Sequence, residues 1–192
     1  MTSVPAPFIH PTALVETDRI GVRTRIWAFV HIMPKATIGR NCNIGDHVFI
    51  ESNVTIGDDV TVKNGVSIWE HVHIADNVFV GPNVTFANDR FPRNPHDSYQ
   101  AEETWIEEGV TIGANATILS GIRLGRYCFI GAAAVVTRDI PPHALVYGNP
   151  ASSHGWVCYC GRPLDTAADG LARCTACGKH VHVTIGGVSD ES

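Results

Sequence analysis

A large aliphatic residue returns at every sixth position along most of this chain. The series begins Phe8, Leu14, Ile20, Ile26, Ile32 and keeps the same step through Val62, Ile68, Ile74, Val80 and Phe86. It resumes as Ile106, Ile112, Ile118, Leu124, Ile130 and Val136. A smaller apolar residue stands two positions before most of them, as in Val48, Val54, Val60, Val66, Val72, Val78 and Val84. Helices repeat every 3.6 residues and half-buried strands every 2, so neither gives a beat of six. Short strands wound around a prism do, with both apolar positions pointing inward. Three hexads make a coil of 18 residues, and neighbouring coils stack about 4.8 Å apart. Gly21, Gly39, Gly45, Gly57, Gly81, Gly113, Gly125 and Gly131 directly follow the large aliphatic. They are expected at corners, supplying backbone angles that other residues resist. The period predicts an all-β solenoid and says nothing of its hand.

The 192 residues suit one domain with a small appendage. The expected division is a β-helix over 1–150, interrupted by a loop over 87–105, and a tail over 151–192. No apolar run is long enough to cross a membrane, and no basic-then-apolar leader opens the chain. Six cysteines without such a leader point to a reducing compartment, hence the cytoplasm. A net charge of −5 with scattered Lys and Arg excludes a nucleic-acid surface. Anionic ligands must then be held by local groups.

The rhythm lapses between Phe86 and Ile106, a gap slightly longer than one coil, read as a loop that replaces that coil. With two prolines, two arginines and an aromatic ring between Ala87 and Tyr99, this stretch has the composition of a binding loop. The stacking interval of 18 sets Glu70 beside Asn88 and His71 beside Asp89, on one corner where the loop departs. A carboxylate and an amide there suit a polar ligand, and Asp89 would orient His71 for proton relay. An outward polar ladder, which every solenoid carries, is the plainer account of the same residues. His31 and His73 fall between inward positions and should face outward; His47, His143 and His154 are expected at the surface.

These residues resemble a family. Phe86-Ala87-Asn88-Asp89-Arg90-Phe91-Pro92-Arg93 is similar to the F-T-N-D-x-x-P-R segment of the sugar-nucleotide 3-N-acetyltransferases. Ile9-His10-Pro11-Thr12-Ala13, Arg25-Ile26-Trp27, Gly148-Asn149-Pro150-Ala151 and Gly155-Trp156-Val157-Cys158-Tyr159-Cys160-Gly161 look like the same family's start and end. The resemblance implies a left-handed parallel β-helix that assembles as a homotrimer. It also implies transfer of an acetyl group from acetyl-CoA to the 3-amino group of a dTDP- or UDP-linked sugar. Asn88 matches the asparagine whose side-chain oxygen holds the amine, and the departing CoA sulfur is expected to collect the proton. Glu70 and His71 are candidate substrate contacts by stacking. Arg90 and Arg93 suit the diphosphate, because guanidinium forks match phosphate oxygens. Gly131-Ala132-Ala133-Ala134-Val135-Val136-Thr137-Arg138 resembles the late-coil stretch that lines CoA. Gly113, Ala114, Gly131 and Ala132 are therefore expected donor-site contacts, with Arg138 for a CoA phosphate. Ser152 and Ser153 depart from the family, which commonly has basic residues after G-N-P-A.

Two other readings stay open. An O-acetyltransferase of the same fold would use His71 and Asp89 as its base. A non-catalytic trimeric scaffold would use the solenoid as a platform, although a platform gains nothing from an interrupted coil. A metal-dependent hydratase of this fold needs an H-x4-H pair, and no two histidines have that spacing. In the tail, Cys158 and Cys160 precede Cys174 and Cys177, paired short spacings that suit a structural, tetrahedral Zn2+ in a zinc-ribbon-like unit. His180 and His182 are candidate substitutes for a cysteine. Cys42 and Cys128 fall at inward positions and read as core.

Overall fold

A computed structural model describes residues 5–94, 102–165, 170–184 and 187–190. The chain winds into a left-handed parallel β-helix of about seven turns with three flat faces. Phe8–Ile9, Arg25–Ile26, Asn43–Ile44, Thr61–Val62, Phe79–Val80, Thr111–Ile112, Phe129–Ile130 and Ala144–Tyr147 form the first face. Leu14–Val15, His31–Ile32, Phe49–Ile50, Ser67–Ile68, Thr85–Phe86, Thr117–Ile118 and Val135–Val136 form the second. Thr37–Ile38, Thr55–Ile56, Val72–Ile74, Thr104–Ile106 and Arg123–Leu124 form the third. Strand pairing is parallel and in register, Asn43 with Thr61 and Ile44 with Val62 for example, so each wall is a ladder of like residues.

The interior is a continuous column of the two apolar positions, with Ile26, Ile32, Ile44, Ile50 and Ile68 all fully buried. Cys42 and Cys128 belong to it, both fully buried. The first coil departs from the expected phase. Phe8 pairs with Arg25 and Ile9 with Ile26, one position short of a full coil, so Ile9 and Val15 take the stacking positions. Phe8 and Leu14 accordingly point outward, 46% and 55% exposed.

The corner glycines also have a different cause from the one expected. Residues such as Gly39 and Gly113 are not in the left-handed region; that conformation falls two positions later, at residues including Arg23, Asn41, Asn53, Asn77 and Asn115. What Gly39 and Gly113 supply is room. A Cβ on Gly39 would lie 2.4 Å from the Gly57 carbonyl oxygen, and one on Gly113 would lie 2.5 Å from the Ala132 nitrogen. The coils touch backbone to backbone there, and no side chain fits between them.

At its far end Ala144–Tyr147 turns back and pairs antiparallel with Ser152–Val157, which pairs in turn with Pro163–Leu164. The first face thus runs on past residue 150 into the tail. Leu171–Arg173, His180–Thr184 and Gly187–Asp190 form a separate three-stranded antiparallel sheet. The tail has its own small core of Cys158, Leu164, Ala172, Cys174 and Val181, with Trp156 packed against both cores.

Because the Gly39 contact is backbone on backbone, Gly39→Ala is expected to cost about 1–3 kcal/mol through overpacking. A lower urea midpoint at unchanged slope would register this.

Candidate functional site

The corner between the second and third faces is where the rhythm lapses. Ile74 pairs with Ile106 and Phe86 with Ile118, so residues on either side of the gap still sit on adjacent coils. The loop therefore does not replace a coil, as the length of the gap suggested. It is an excursion inserted into a single hexad step at one corner, and the coil closes normally beyond it. Backbone pairing decides this: the Ala87 amide donates to Ile118 O at 2.8 Å, and the Thr104 amide to His71 O at 3.0 Å.

Glu70 and His71 sit on the preceding coil at this corner. Asn53 Nδ2 donates to Glu70 Oε1 at 2.6 Å, and the Glu70 amide donates to Glu51 Oε2 at 2.8 Å. His71 Nε2 lies 3.8 Å from Glu70 Oε1. The expected His71–Asp89 pair is not formed. Asp89 Oδ1 instead accepts the Phe91 amide at 2.8 Å and caps its own turn. The stacking interval ends at Phe86, because the chain leaves the corner there. Asn88 opens the loop just beyond the last amide tied to the sheet, that of Ala87. Arg90 Nη2 reaches up to Thr137 O at 3.4 Å, while Phe91 is 83% exposed. Arg93 lies exposed on the same arm, and residues 95–101 of the loop fall outside the described residues.

Gly113, Ala114, Gly131 and Ala132 stack on one another at a different corner, between the first and second faces. Arg138 follows Val135–Val136 and so shares the corner of Asn88. A single chain therefore keeps the candidate acceptor groups and the candidate donor cradle one face apart.

Beside the corner of Glu70 and His71, on the third face, lies a column that sequence reasoning did not single out. His73 Nδ1 is 2.8 Å from Thr55 Oγ1, and its ring stacks on Trp105 at 4.2 Å. Arg123 covers Trp105 at 5.5 Å. His73 Nε2 is buried with no hydrogen-bond partner among the described residues. Burial holds this imidazole below its ordinary value, with Glu103 opposing and His71 reinforcing the shift.

In the tail, the four cysteine Sγ atoms all lie within 4.8 Å of one another. Cys158 faces Cys177 at 3.6 Å and Cys160 faces Cys174 at 3.6 Å. Zn–S bonds of about 2.3 Å put the corners of a tetrahedron about 3.8 Å apart, so the spacing fits the metal. Two turns that end on glycine, one a residue longer than the other, build the set. The Gly161 amide donates to Cys158 O at 2.8 Å and the Gly178 amide to Cys174 O at 2.9 Å. Backbone amides of Cys177 and Ala176 pull the Cys174 thiol down to about 6, whereas burial pushes Cys158 up to about 12. His180 and His182 are not in the group.

Tyr159, between the first two cysteines, joins the tail to the solenoid. Its ring meets Tyr127 at 4.9 Å and His143 at 4.5 Å, edge to face. His143, expected at the surface, is 3% exposed, with Nδ1 3.0 Å from Val157 O. The tail covers it, which a reading confined to the hexads could not show. Lys179 Nζ sits 4.7 Å from the centre of the Tyr159 ring.

A three-faced coil of hexads with an inserted corner loop defines a class, and comparison with known proteins agrees. The bacterial transferase hexapeptide (six repeats) model matches residues 19–52, 53–88 and 103–138, and the chain belongs to that family. The break between its last two segments coincides with the inserted loop. The chain is 53% identical over 182 residues to the dTDP-3-amino-3,6-dideoxy-alpha-D-galactopyranose 3-N-acetyltransferase of Aneurinibacillus thermoaerophilus, covering 95% of this chain and 94% of that protein. Among solved structures, the acetyltransferase domain of PglB from Neisseria gonorrhoeae in complex with acetyl coenzyme A superposes with a TM-score of 0.57 at 23% identity. A variant of GDP-perosamine N-acetyl transferase from Caulobacter crescentus, in complex with CoA and GDP-perosamine, gives 0.55 at 22%. Each match covers 79% of this chain and 58% of the solved chain, and at these identities they speak to the fold.

His73 is expected to titrate below an ordinary imidazole, a shift visible as the pH midpoint of its ring C–H signals by NMR. The sign follows from burial favouring the neutral form. The stabilisation is complete above about pH 6.5 and is lost as the pH falls below that value, where the unfolded state takes the proton first. His73→Gln should flatten the thermal midpoint between about pH 7 and 5.

Proposed function

We propose that this chain is an N-acetyltransferase that moves the acetyl group of acetyl-CoA to the 3-amino group of a dTDP- or UDP-linked amino sugar, acting as a homotrimer in the cytoplasm. The observation that carries the reading is the 53% identity to a 3-N-acetyltransferase over 95% of this chain, a span that takes in both the Asn88 loop and the cysteine tail. The side-chain oxygen of Asn88 accepts a hydrogen from the sugar amine and turns its lone pair toward the thioester carbonyl. The amine nitrogen bonds to the acetyl carbon, the carbon–sulfur bond breaks, and the CoA sulfur leaves with the electron pair and takes the amine's proton. No side-chain base is required, because a neutral sugar amine is already nucleophilic. Positioning supplies the rate.

Glu70, itself oriented by Asn53 and Glu51, and His71 contact the sugar, and Arg90 and Arg93 hold the diphosphate. Gly113, Ala114, Gly131 and Ala132 admit the pantetheine arm, and Arg138 serves a CoA phosphate. On one chain the Gly113, Ala114, Gly131 and Ala132 cradle lies a face apart from the Asn88 corner, which Arg138 shares. That separation supports an active site completed between neighbouring copies of a trimer. Cytoplasmic placement rests on six cysteines that are all unpaired.

The four tail cysteines hold a structural Zn2+ in the same reading, supported by their mutual distances. The metal supplies cohesion to a core in which two of the five buried residues, Cys158 and Cys174, are themselves ligands.

Thiol release from acetyl-CoA with a panel of dTDP- and UDP-linked 3-amino and 4-amino sugars tests the reading. Rapid turnover with a 3-amino sugar is expected, and Asn88→Ala should lower kcat/KM by about 100-fold. Undiminished activity in that variant would remove Asn88 from its role, and no turnover or binding at all would favour a scaffold. Metal analysis of the purified protein should find one zinc per chain, and Cys174→Ser should abolish it and lower the melting temperature. A zinc-free protein whose melting temperature ignores chelator would end the metal assignment.

A further inference from the structure

The donor edge does not end on the small residues that open it. Gly81, Gly113 and Gly131 follow the first-face strands Phe79–Val80, Thr111–Ile112 and Phe129–Ile130 and stack one above another. A Cβ on Gly113 would lie 2.8 Å from the Gly131 carbonyl carbon, so this stretch of the edge is bare backbone. On the next coil Ile130 pairs with Val146, and the Gly131 amide donates to Val146 O at 2.7 Å. The residue that follows Val146, in the place glycine holds on three coils, is Tyr147. A Cβ on Gly131 would meet the Tyr147 Cβ at 2.7 Å, so the bare edge runs directly into the tyrosine.

After Tyr147 the chain folds back and lays a second ring on the first. The His154 imidazole stacks on Tyr147 with ring centres 3.5 Å apart and planes 8° apart. Aromatic pairs left to themselves prefer offset or tilted arrangements, so the backbone and a polar contact must hold this one flat. Tyr147 pairs antiparallel with Ser152, and Ser152 Oγ lies 3.1 Å from His154 Nε2. Neither ring is taken into a core: Tyr147 is 44% exposed and His154 is exposed as well. Tyr127, by contrast, packs against both His143 and Tyr159. The result is a two-ring platform at the end of a cradle that has no side chains. Exposed aromatic faces of this kind are surfaces on which nucleobases stack.

The spacing says which nucleobase. Asn88 leaves the coil of Gly81, and Tyr147 stands three coil steps further along the solenoid, about 14 Å at about 4.8 Å per step. That rise is comparable with an extended pantetheine arm. An acetyl thioester held level with Asn88 lays its thin arm along Gly113 and Gly131, where no side chain intrudes, and brings its adenosine end to Tyr147. We propose that Tyr147 and His154 form the adenine subsite for acetyl-CoA, with the purine stacked on the exposed pair and Ser152 fixing the imidazole. The proposal rests on the acetyl-CoA reading of the donor edge and adds the groups that tell the whole cofactor from its pantetheine arm alone.

Calorimetric titration of the full chain with CoA reads the platform without any amino sugar. The Kd should rise about tenfold in Tyr147→Ala and in His154→Ala, and stay within about twofold in Tyr147→Phe, which keeps the ring. Turnover separates the adenine from the rest of the donor. In the two alanine variants, kcat/KM for acetyl-CoA relative to that for acetyl-pantetheine, which carries no nucleotide, should fall about tenfold. If Tyr147→Ala does not fold, His154→Ala gives both readouts alone. Equal CoA Kd values in the wild type and the alanine variants overturn the proposal. An unchanged preference for acetyl-CoA overturns it too, because the substitutions would then disturb the whole edge and not one subsite. A wild type that binds CoA but acetylates no amino sugar tells against the acceptor half of the reading, and the Kd values still decide the platform. A wild type that binds no CoA overturns the acetyl-CoA reading and the platform with it.

Discussion

Coils stacked at a single strand spacing leave no slack anywhere in this molecule, and that tight stacking governs the rest. It requires like residues above like residues, so the interior becomes a column of Ile and Val and the walls become ladders. Where the backbone of one coil meets the backbone of the next, as between Gly39 and Gly57, nothing larger than hydrogen fits. Where a side chain leans onto the coil beneath, as Tyr127 does on Gly109, the side chain below is given up. An insertion is tolerated only at a corner, because one within a face would shift every contact beyond it. The inserted loop obeys this rule: strand register resumes at Val72 with Thr104 as though nothing intervened.

Much of this was legible in the chain. The hexad predicts the solenoid, its inward positions and the burial of Cys42 and Cys128, because each depends only on a repeat that one sequence displays in full. Phase errors arise where the repeat is imperfect. Phe8 and Leu14 continue the beat on paper, but a first coil shortened by a single position turns them outward. The length of the gap after Phe86 fits both a missing coil and a short step with an excursion, and only backbone pairing separates the two.

The candidate site was legible to the same depth. Stacking arithmetic brings Glu70 and the start of the Asn88 loop to one corner, since Ser67 pairs with Thr85 just before them. It fails for Asp89, because loop residues answer to their own turns, and here the Phe91 amide claims the carboxylate. Glu51 and Asn53 escape it for the opposite reason. Their bonds to Glu70 span 19 and 17 residues, so scanning a little to either side of the stacking interval would have found them. His143 needed the tail: Tyr159 meets its ring only because the chain folds back after the last coil.

That fold-back has a consequence for how copies of the molecule can meet. Among the described residues, Phe8–Ile9 is the outermost strand of the first face at one end. The opposite edge has been turned antiparallel and finishes on Pro163, which has no amide to offer. On that wall a further strand would meet a partner that accepts but cannot donate at Pro163. A motif whose coils could be repeated without limit thus carries a stop on one of its three walls, written by the tail that follows it.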